Sequence, residues 1–117
     1  MINIISSSRY PIERDKIRDS IKKLYTKLNI DHDLVLNVIF VGKIKMRQIA
    51  LEYKHEDEAL PILAFPYKGE KIDDEKVLGE LVMCYPQVLV LAAHRNKPVD
   101  YIMDWLLEHG MTNLLKE

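Results

Sequence analysis

Leu34-Val35-Leu36-Asn37-Val38-Ile39-Phe40-Val41 is the stretch on which the fold turns. Seven of its eight residues are apolar, four of them are β-branched, and Gly42 closes the run. Branched side chains suit a pleated surface, and a near-continuous apolar run marks a strand covered on both faces. The segment is therefore expected to be the central strand of a sheet, with Val35, Val38 and Phe40 out of solvent.

The neighbouring segments supply the partners of that strand. Toward the N-terminus, Ile17, Ile21, Leu24 and Leu28 recur at helical spacing between charged residues, which predicts a one-faced helix from about Pro11 to Asn29. Before it, Ile2-Asn3-Ile4-Ile5 reads as a short strand that stops at Ser6, Ser7 and Ser8. Beyond Gly42, Met46, Ile49, Ala50 and Tyr53 give a second helix, followed by the charged stretch Lys54 to Glu58. Pro61 and Pro66 bracket Ile62 to Phe65, and because proline cannot donate to a ladder, this segment is expected to be a short or edge strand. Lys68 to Lys76 reads as a polar loop and Val77 to Cys84 as a strand interrupted by Gly79. Pro86 and Pro98 each open a helix, since proline is tolerated in a first helical turn. The last helix places Ile102, Leu106, His109 and Asn113 on one face. Together these elements predict an α/β (α+β) chain, one domain over residues 1–117, with a mixed sheet of about four strands against four or more helices.

Composition narrows the function classes. Charged residues are 30% of the chain, yet the net charge is -1, so a polyanion would have to find a local basic patch. Cys84 is the one cysteine, which excludes an internal disulfide, and no N-terminal signal pattern is present, so a cytoplasmic location is expected. The apolar runs fall far short of the roughly 20 residues that span a bilayer, so no membrane association is expected. There is no glycine-rich phosphate loop, G-x-S-x-G elbow or paired CxxC, which argues against nucleotide, serine-hydrolase and dithiol chemistry.

Three segments, in this order, carry a resemblance to a known family. Met46-Arg47-Gln48 through Glu52-Tyr53-Lys54 and on to Leu63-Ala64-Phe65-Pro66 is similar to a helix and following "TDVLSFP" segment of the YbeY family. Leu78-Gly79-Glu80-Leu81-Val82-Met83-Cys84 resembles its "LGDIVIC" strand, and Glu108-His109-Gly110-Met111-Thr112-Asn113-Leu114-Leu115 resembles the start of its "HGxLHLxGYDH" metal motif. The resemblance implies an α/β fold, a metal (usually zinc) held by three motif histidines, and a single-strand endoribonuclease, a hydrolase that matures ribosomal RNA in ribosome biogenesis. It also implies ribosomal RNA or a ribosomal subunit as partner.

Carried over residue by residue, the pattern is altered where the family places its cleft. His109 takes the first ligand position, Asn113 stands at the second, and the third would fall past Glu117. The family's active-site arginine falls on Lys54, which keeps the charge but not the planar fork that clamps a phosphate. Leu60 and Pro61 replace a Thr-Asp pair, and Ala64 a serine. A catalytic zinc needs three protein ligands and an open position, and a neutral carboxamide matches zinc poorly, so tight zinc is not expected here. Glu108 and Glu117 are alternative oxygen donors, although Glu108 lies about 100° around the helix from His109.

Other candidates are weighed on their own residues. Arg9, Arg14, Arg47, Lys54, Lys68 and Lys71 are the cations that could line a phosphate groove, with Tyr53 or Tyr67 for base stacking, and Arg47, Lys54 and Lys68 are the RNA-binding candidates. Scattered solubilising charge explains them equally well. His32, His55 and His94 have no metal-like spacing and are expected to be solvated, Cys84 to be a buried strand residue, and Gly110 to mark close packing of helix on sheet. Two functions from different classes follow. One is a metal-dependent endoribonuclease with His109 as ligand and Lys54 on phosphate; the other is a non-catalytic RNA- or ribosome-binding protein that needs Lys54 but not His109. A third reading is that the natural chain continues past Glu117 and completes the site.

Overall fold

The computed structural model describes residues 1–7 and 9–116. In chain order the elements are β1 (Ile2–Ile5), α1 (Arg14–Lys27), β2 (Val35–Val41), α2 (Lys43–Lys54), β3 (Ile62–Ile72), β4 (Glu75–Cys84), α3 (Tyr85–Arg95) and α4 (Val99–Leu114). The strands form one mixed sheet in the order β1-β2-β4-β3, with β1, β2 and β4 parallel and β3 antiparallel at the edge. This is the α+β architecture expected from the sequence, with β2 paired on both sides and Pro66 confined to an edge strand, where its missing N–H costs no interior ladder bond.

The two faces of the sheet are covered unequally. Leu36, Val38 and Phe40 of β2, with Leu81 and Met83 of β4, pack under α1, α3 and α4 in the main core. On the opposite face α2 sets Met46 and Ala50 against Leu63, Val82 and Cys84 only. The expectation that both faces of β2 are covered therefore holds in part: Val35, Leu36, Val38 and Phe40 are buried, whereas Asn37 and Ile39 are half-buried. The reason is polar pairing. Asn3 and Asn37 are register partners, and the Asn3 amide donates to Asn37 Oδ1 at 2.9 Å. Glu80, the register partner of Asn37 on β4, accepts from the Tyr67 hydroxyl at 3.0 Å.

A second difference lies between the last two strands. Lys68 to Lys76, expected as a loop, is a β-hairpin in which Glu70, Lys71 and Ile72 pair with Val77, Lys76 and Glu75. Asp73 and Asp74, with φ of 50° and 66°, form the turn, and this left-handed pair matches the twist of a two-residue hairpin. The extra residues between Pro66 and Glu70 are taken up by a register shift at Lys68 (φ 53°) and Gly69 (φ 80°). β4 runs from Glu75 to Cys84, and the interruption expected at Gly79 is an irregularity of register: Val35 pairs with Val77 and Leu36 with Gly79, which leaves Leu78 without a partner on β2.

Helix α1 buries Ile17, Ile21 and Leu24 as expected, and Tyr25 as well. Arg14 at its start donates to the carbonyls of Ile4 and Ser6, tying the helix to the end of β1. The Tyr25 hydroxyl donates to Leu34 O at 2.9 Å and holds the entry to β2. Helix α4 buries Ile102, Met103, Leu106, Leu107, Gly110, Met111 and Leu114. Its apolar face is thus centred one position away from the stripe expected from the sequence, and of that stripe Ile102 and Leu106 are buried, Asn113 half-buried and His109 exposed. Two glycines permit the contact of α4 with the sheet. A Cβ at Gly110 would lie 2.7 Å from Ile62 Cδ1 and 2.9 Å from Leu81 Cδ2, and one at Gly79 would lie 2.6 Å from the Phe65 carbonyl oxygen and 2.7 Å from Leu114 Cδ2.

Two outcomes follow. Gly79→Ala forces a methyl against a backbone oxygen that cannot step aside, so it should cost about 3 kcal/mol, the upper end of overpacking. Gly110→Ala meets only side-chain ends and gains about 1 kcal/mol of helix propensity, so its net cost should be about 1 kcal/mol. Urea unfolding of the two variants measures the order, and a larger loss for Gly110→Ala would refute this account of the packing. Burial pushes the Tyr25 hydroxyl up from 10.0 to about 12, which favours the neutral form in the folded chain. A raised pKa contributes stability that is complete below the unfolded value and fades as pH climbs from 10.0 toward about 12. Wild-type protein should therefore lose stability across that window more steeply than Tyr25→Phe, and parallel curves would show that Tyr25 does not report on it.

Candidate functional site

The last two turns of α4, the edge strand β3 and the end of α2 enclose a groove of about 530 Å³. His109, Gly110 and Asn113 line it from α4, Ile62, Ala64 and Pro66 from β3, and Lys54 and Glu56 from the end of α2 and the loop beyond it. Each side is placed by a local cause. His109 and Asn113 are four residues apart and so project from one side of α4. Lys54 arrives because α2 stops there: His55 takes a left-handed conformation (φ 57°) and the Glu56 N–H closes on Ala50 O at 3.3 Å, turning the chain toward β3. Leu60 also lines the groove.

The structure thus brings together Lys54, His109 and Asn113, three of the five site residues named from the sequence. Lys68 stands in a neighbouring hollow of about 500 Å³ with Lys76 and Leu115, and Lys116 lines both spaces. Lys116 was missed from the sequence, although it continues the line of His109 and Asn113 at helical spacing. Arg47 lines neither space. Its guanidinium makes a two-pronged pair with Asp57, Nε to Oδ1 at 2.6 Å and a second nitrogen to Oδ2 at 3.0 Å. That contact holds the Asp57 carboxyl below its usual range through hydrogen bonding and then charge.

The other candidates have structural employment. Arg14 is spent on backbone carbonyls. The Tyr53 ring meets Phe65 edge-on at 5.2 Å while remaining 59% exposed. The Tyr67 hydroxyl is pushed up by its hydrogen bond to Glu80. His32 lies against Tyr25 at 5.4 Å, and His94 is an exposed residue of the last turn of α3. Cys84 is buried, and burial raises its thiol, which suits packing rather than nucleophilic attack. Arg9 and Lys71 are exposed and line neither of these spaces. A further hollow of about 450 Å³ between α1 and the start of α4 is lined by Lys16 with Glu13 and Asp100. Lys16 bonds Asp100 at 2.9 Å, so opposite charges satisfy one another there.

The residues of the groove can be tested against zinc by their donors. His109 offers one imidazole, Glu56 one carboxylate and Asn113 a neutral carboxamide, while Lys54 and Lys116 are cations that repel a metal. Glu108, the alternative carboxylate, points away and is held by Lys27 at 3.0 and 3.1 Å; Glu117 lies outside the described residues. Among the described residues no three His, Cys, Asp or Glu side chains converge as a metal cluster would require. The donor set present does not fit zinc, and no chemical step is derived through it.

Comparison with known proteins agrees with the fold. The sequence profile described as Endoribonuclease YbeY matches residues 4–115. An Endoribonuclease YbeY of Thermodesulfovibrio yellowstonii is 33% identical over 82 residues, covering 70% of this chain and 52% of that protein. One of Cellvibrio japonicus is 30% identical over 114 residues, covering 97% of this chain and 64% of that protein. A protein of Thermotoga maritima solved in solution superposes over 100% of this chain and 73% of its own with a TM-score of 0.67 at 20% identity, a likeness of fold. A sheet of this order with α4 against its edge, matched by the profile almost end to end, is that of a YbeY-type α+β protein. The chain belongs to the YbeY family. It spans about half the length of the first curated relatives it matches.

Protein purified without chelator should carry well under one zinc per chain, because one imidazole, one carboxylate and one amide beside two cations do not make a catalytic zinc site. Elemental analysis beside His109→Ala decides it: stoichiometric zinc that vanishes in the variant would show that the groove recruits donors not counted above.

Proposed function

We propose that this chain is a ribosomal RNA maturation factor, organised as one YbeY-like domain over residues 1–117, that holds single-stranded RNA in the groove between α4 and β3. The observation that carries the reading is the pair of cations, Lys54 and Lys116, which outnumber the one carboxylate, Glu56, in a groove lined along β3 by the apolar edge of the sheet. Phosphates favour the ammonium groups, and Ile62, Ala64 and Pro66 offer base faces an apolar surface. Membership of a family described as endoribonucleases supports RNA as the ligand.

Within this reading Lys54 acts as a point charge on phosphate where a guanidinium would clamp two oxygens, so the groove grips the backbone less directionally. Arg47 contributes less than its position in the sequence suggests, since Asp57 already satisfies its fork. Lys68 sits beyond Lys116 and would serve a longer strand. His109 and Asn113 act as hydrogen-bonding groups along the wall, and the poor fit to zinc favours binding over metal-assisted cleavage as the groove's task. The setting consistent with this role is the cytoplasm; among the described residues no helix is long and apolar enough to cross a membrane.

Lys54→Glu should weaken binding of a single-stranded ribosomal RNA fragment and lower the slope of log affinity against log salt by about 0.7 or more, the contribution of one phosphate contact. Fluorescence anisotropy across a salt series measures it. An unchanged slope would remove Lys54 from the interface, and absence of binding by the wild-type chain would defeat the reading altogether.

A further inference from the structure

Two groups of cations in this protein are held by different kinds of partner. Lys16, Arg18, Lys27 and Arg47 make salt bridges with Asp100 and Glu13, Asp15, Glu108 and Asp57 respectively. Arg95 and Lys97, at the end of α3 and just beyond it, stand instead over aromatic rings of α4. The Arg95 guanidinium lies 4.8 Å from the Trp105 ring centre and the Lys97 ammonium 5.1 Å from that of Tyr101. The difference matters chemically. A carboxylate neutralises the cation it holds, whereas an aromatic face orients the cation and leaves its full charge and its remaining N–H donors for another anion.

These residues surround a hollow of about 280 Å³ floored by Ile102. The rings are open to solvent, Tyr101 at 54% and Trp105 at 43%. Tyr101, Trp105 and His109 are spaced four apart and therefore run along one side of α4. Trp105 and His109 are stacked, with ring centres 6.1 Å apart and planes at 22°. Since His109 also lines the groove beside Lys54, the stripe leads directly into it. From Tyr101 to Asn113 the stripe extends about 18 Å along the helix at 1.5 Å per residue.

We infer that Arg95, Lys97, Tyr101 and Trp105 form a second contact surface for single-stranded RNA, continuous through His109 with the α4–β3 groove. The inference rests on the RNA-binding reading of that groove. Ring-held cations meet successive phosphates, and the exposed edges and faces of Tyr101 and Trp105 meet bases. A single strand is the occupant this chemistry selects, because a duplex keeps its base faces stacked inside. The surface explains how a chain of net charge -1 could hold a polyanion: the cations that matter are those that make no salt bridge among the described residues.

The test uses the full chain and a fluorescein-labelled oligouridylate of about 12 nucleotides, within the range of site sizes for single-strand binders. Arg95→Gln with Lys97→Gln keeps two exposed, polar side chains and does not disturb the core. It should weaken binding about tenfold at low salt and reduce the salt slope by about 1.4, at about 0.7 per contact. Tyr101→Leu, which retains apolar bulk, should weaken binding while leaving the slope unchanged, as loss of stacking without loss of charge requires. Trp105 is the only tryptophan, so its emission should also change on adding the oligonucleotide, and the change should shrink in the Gln pair. Binding that depends on Lys54 but not on Arg95, Lys97 or Tyr101 would overturn this inference and leave the groove reading intact. Failure of the wild-type chain to bind any oligonucleotide would overturn both. Equal competition by a duplex of the same length, or loss of ribosomal-subunit association in the Gln pair with oligonucleotide binding unaltered, would likewise overturn it, the latter by making the surface a protein contact.

Discussion

The approach of α4 to the sheet is the constraint on which the rest of the molecule depends. At the C-terminal half of α4, Gly110 faces Ile62 and Leu81 while Gly79 admits Leu114, and a Cβ at either glycine would lie under 3.0 Å from those side chains. Interiors are packed nearly as tightly as organic crystals, so a methyl at either position has nowhere to go without displacing something. This contact sets the depth and width of the groove. With α4 pressed onto β4 and the inner face of β3, His109 and Asn113 come to lie along the edge strand, and Lys54, the last residue of α2, reaches the same space.

That constraint also explains which parts of the fold were legible in the sequence. The apolar run of β2, the stripe of α1 and the prolines opening α3 and α4 are local patterns, each forced by burial or backbone geometry over a few residues, and they read correctly. The β3–β4 hairpin did not. Lys68 to Lys76 is charged because both faces of that edge are solvated beyond the shelter of the helices, so no period-two alternation marks it, and its turn uses Asp73-Asp74 rather than the glycine-containing pair that signals a hairpin. The coverage of β2 was overestimated for a similar reason: a single Asn37 in the run carried the information that one face is partly polar, and its meaning emerged only with its cross-strand partner Asn3.

The candidate site was legible only as far as it is local. His109 and Asn113 share a helix, and their relation follows from a spacing of four. That Lys54 joins them, that Lys116 spans two spaces, and that Arg47 is taken by Asp57 depend on elements distant in sequence or on a loop whose path no pattern fixes. Of the six cations considered from sequence, Arg47, Lys54 and Lys68 were singled out, and no local pattern told which of them a carboxylate would hold. In the structure they divide by what holds them: Arg14 by carbonyls, Arg47 by a carboxylate, Lys54 on an apolar groove. Exposed ion pairs contribute little to stability, but they decide which charges remain for a ligand, and it is in that sense that the carboxylates of this chain shape its surface.

The separation between fold and ligand set has a physical basis. Gly79, Gly110, Ile62, Leu81 and Leu114 make the groove by packing, and none of them needs an imidazole at 109 or 113 to do so. Replacing a metal ligand by asparagine at the margin of α4 removes a donor from a half-exposed position, so it leaves no buried charge uncompensated and no cavity behind, the two events that make single changes costly. Replacing either glycine strikes the contact itself. The packing therefore tolerates a change of side chain at the groove margin far better than a change at either glycine. The shape of the groove follows from the core beneath it, and its polar lining can vary without disturbing that core.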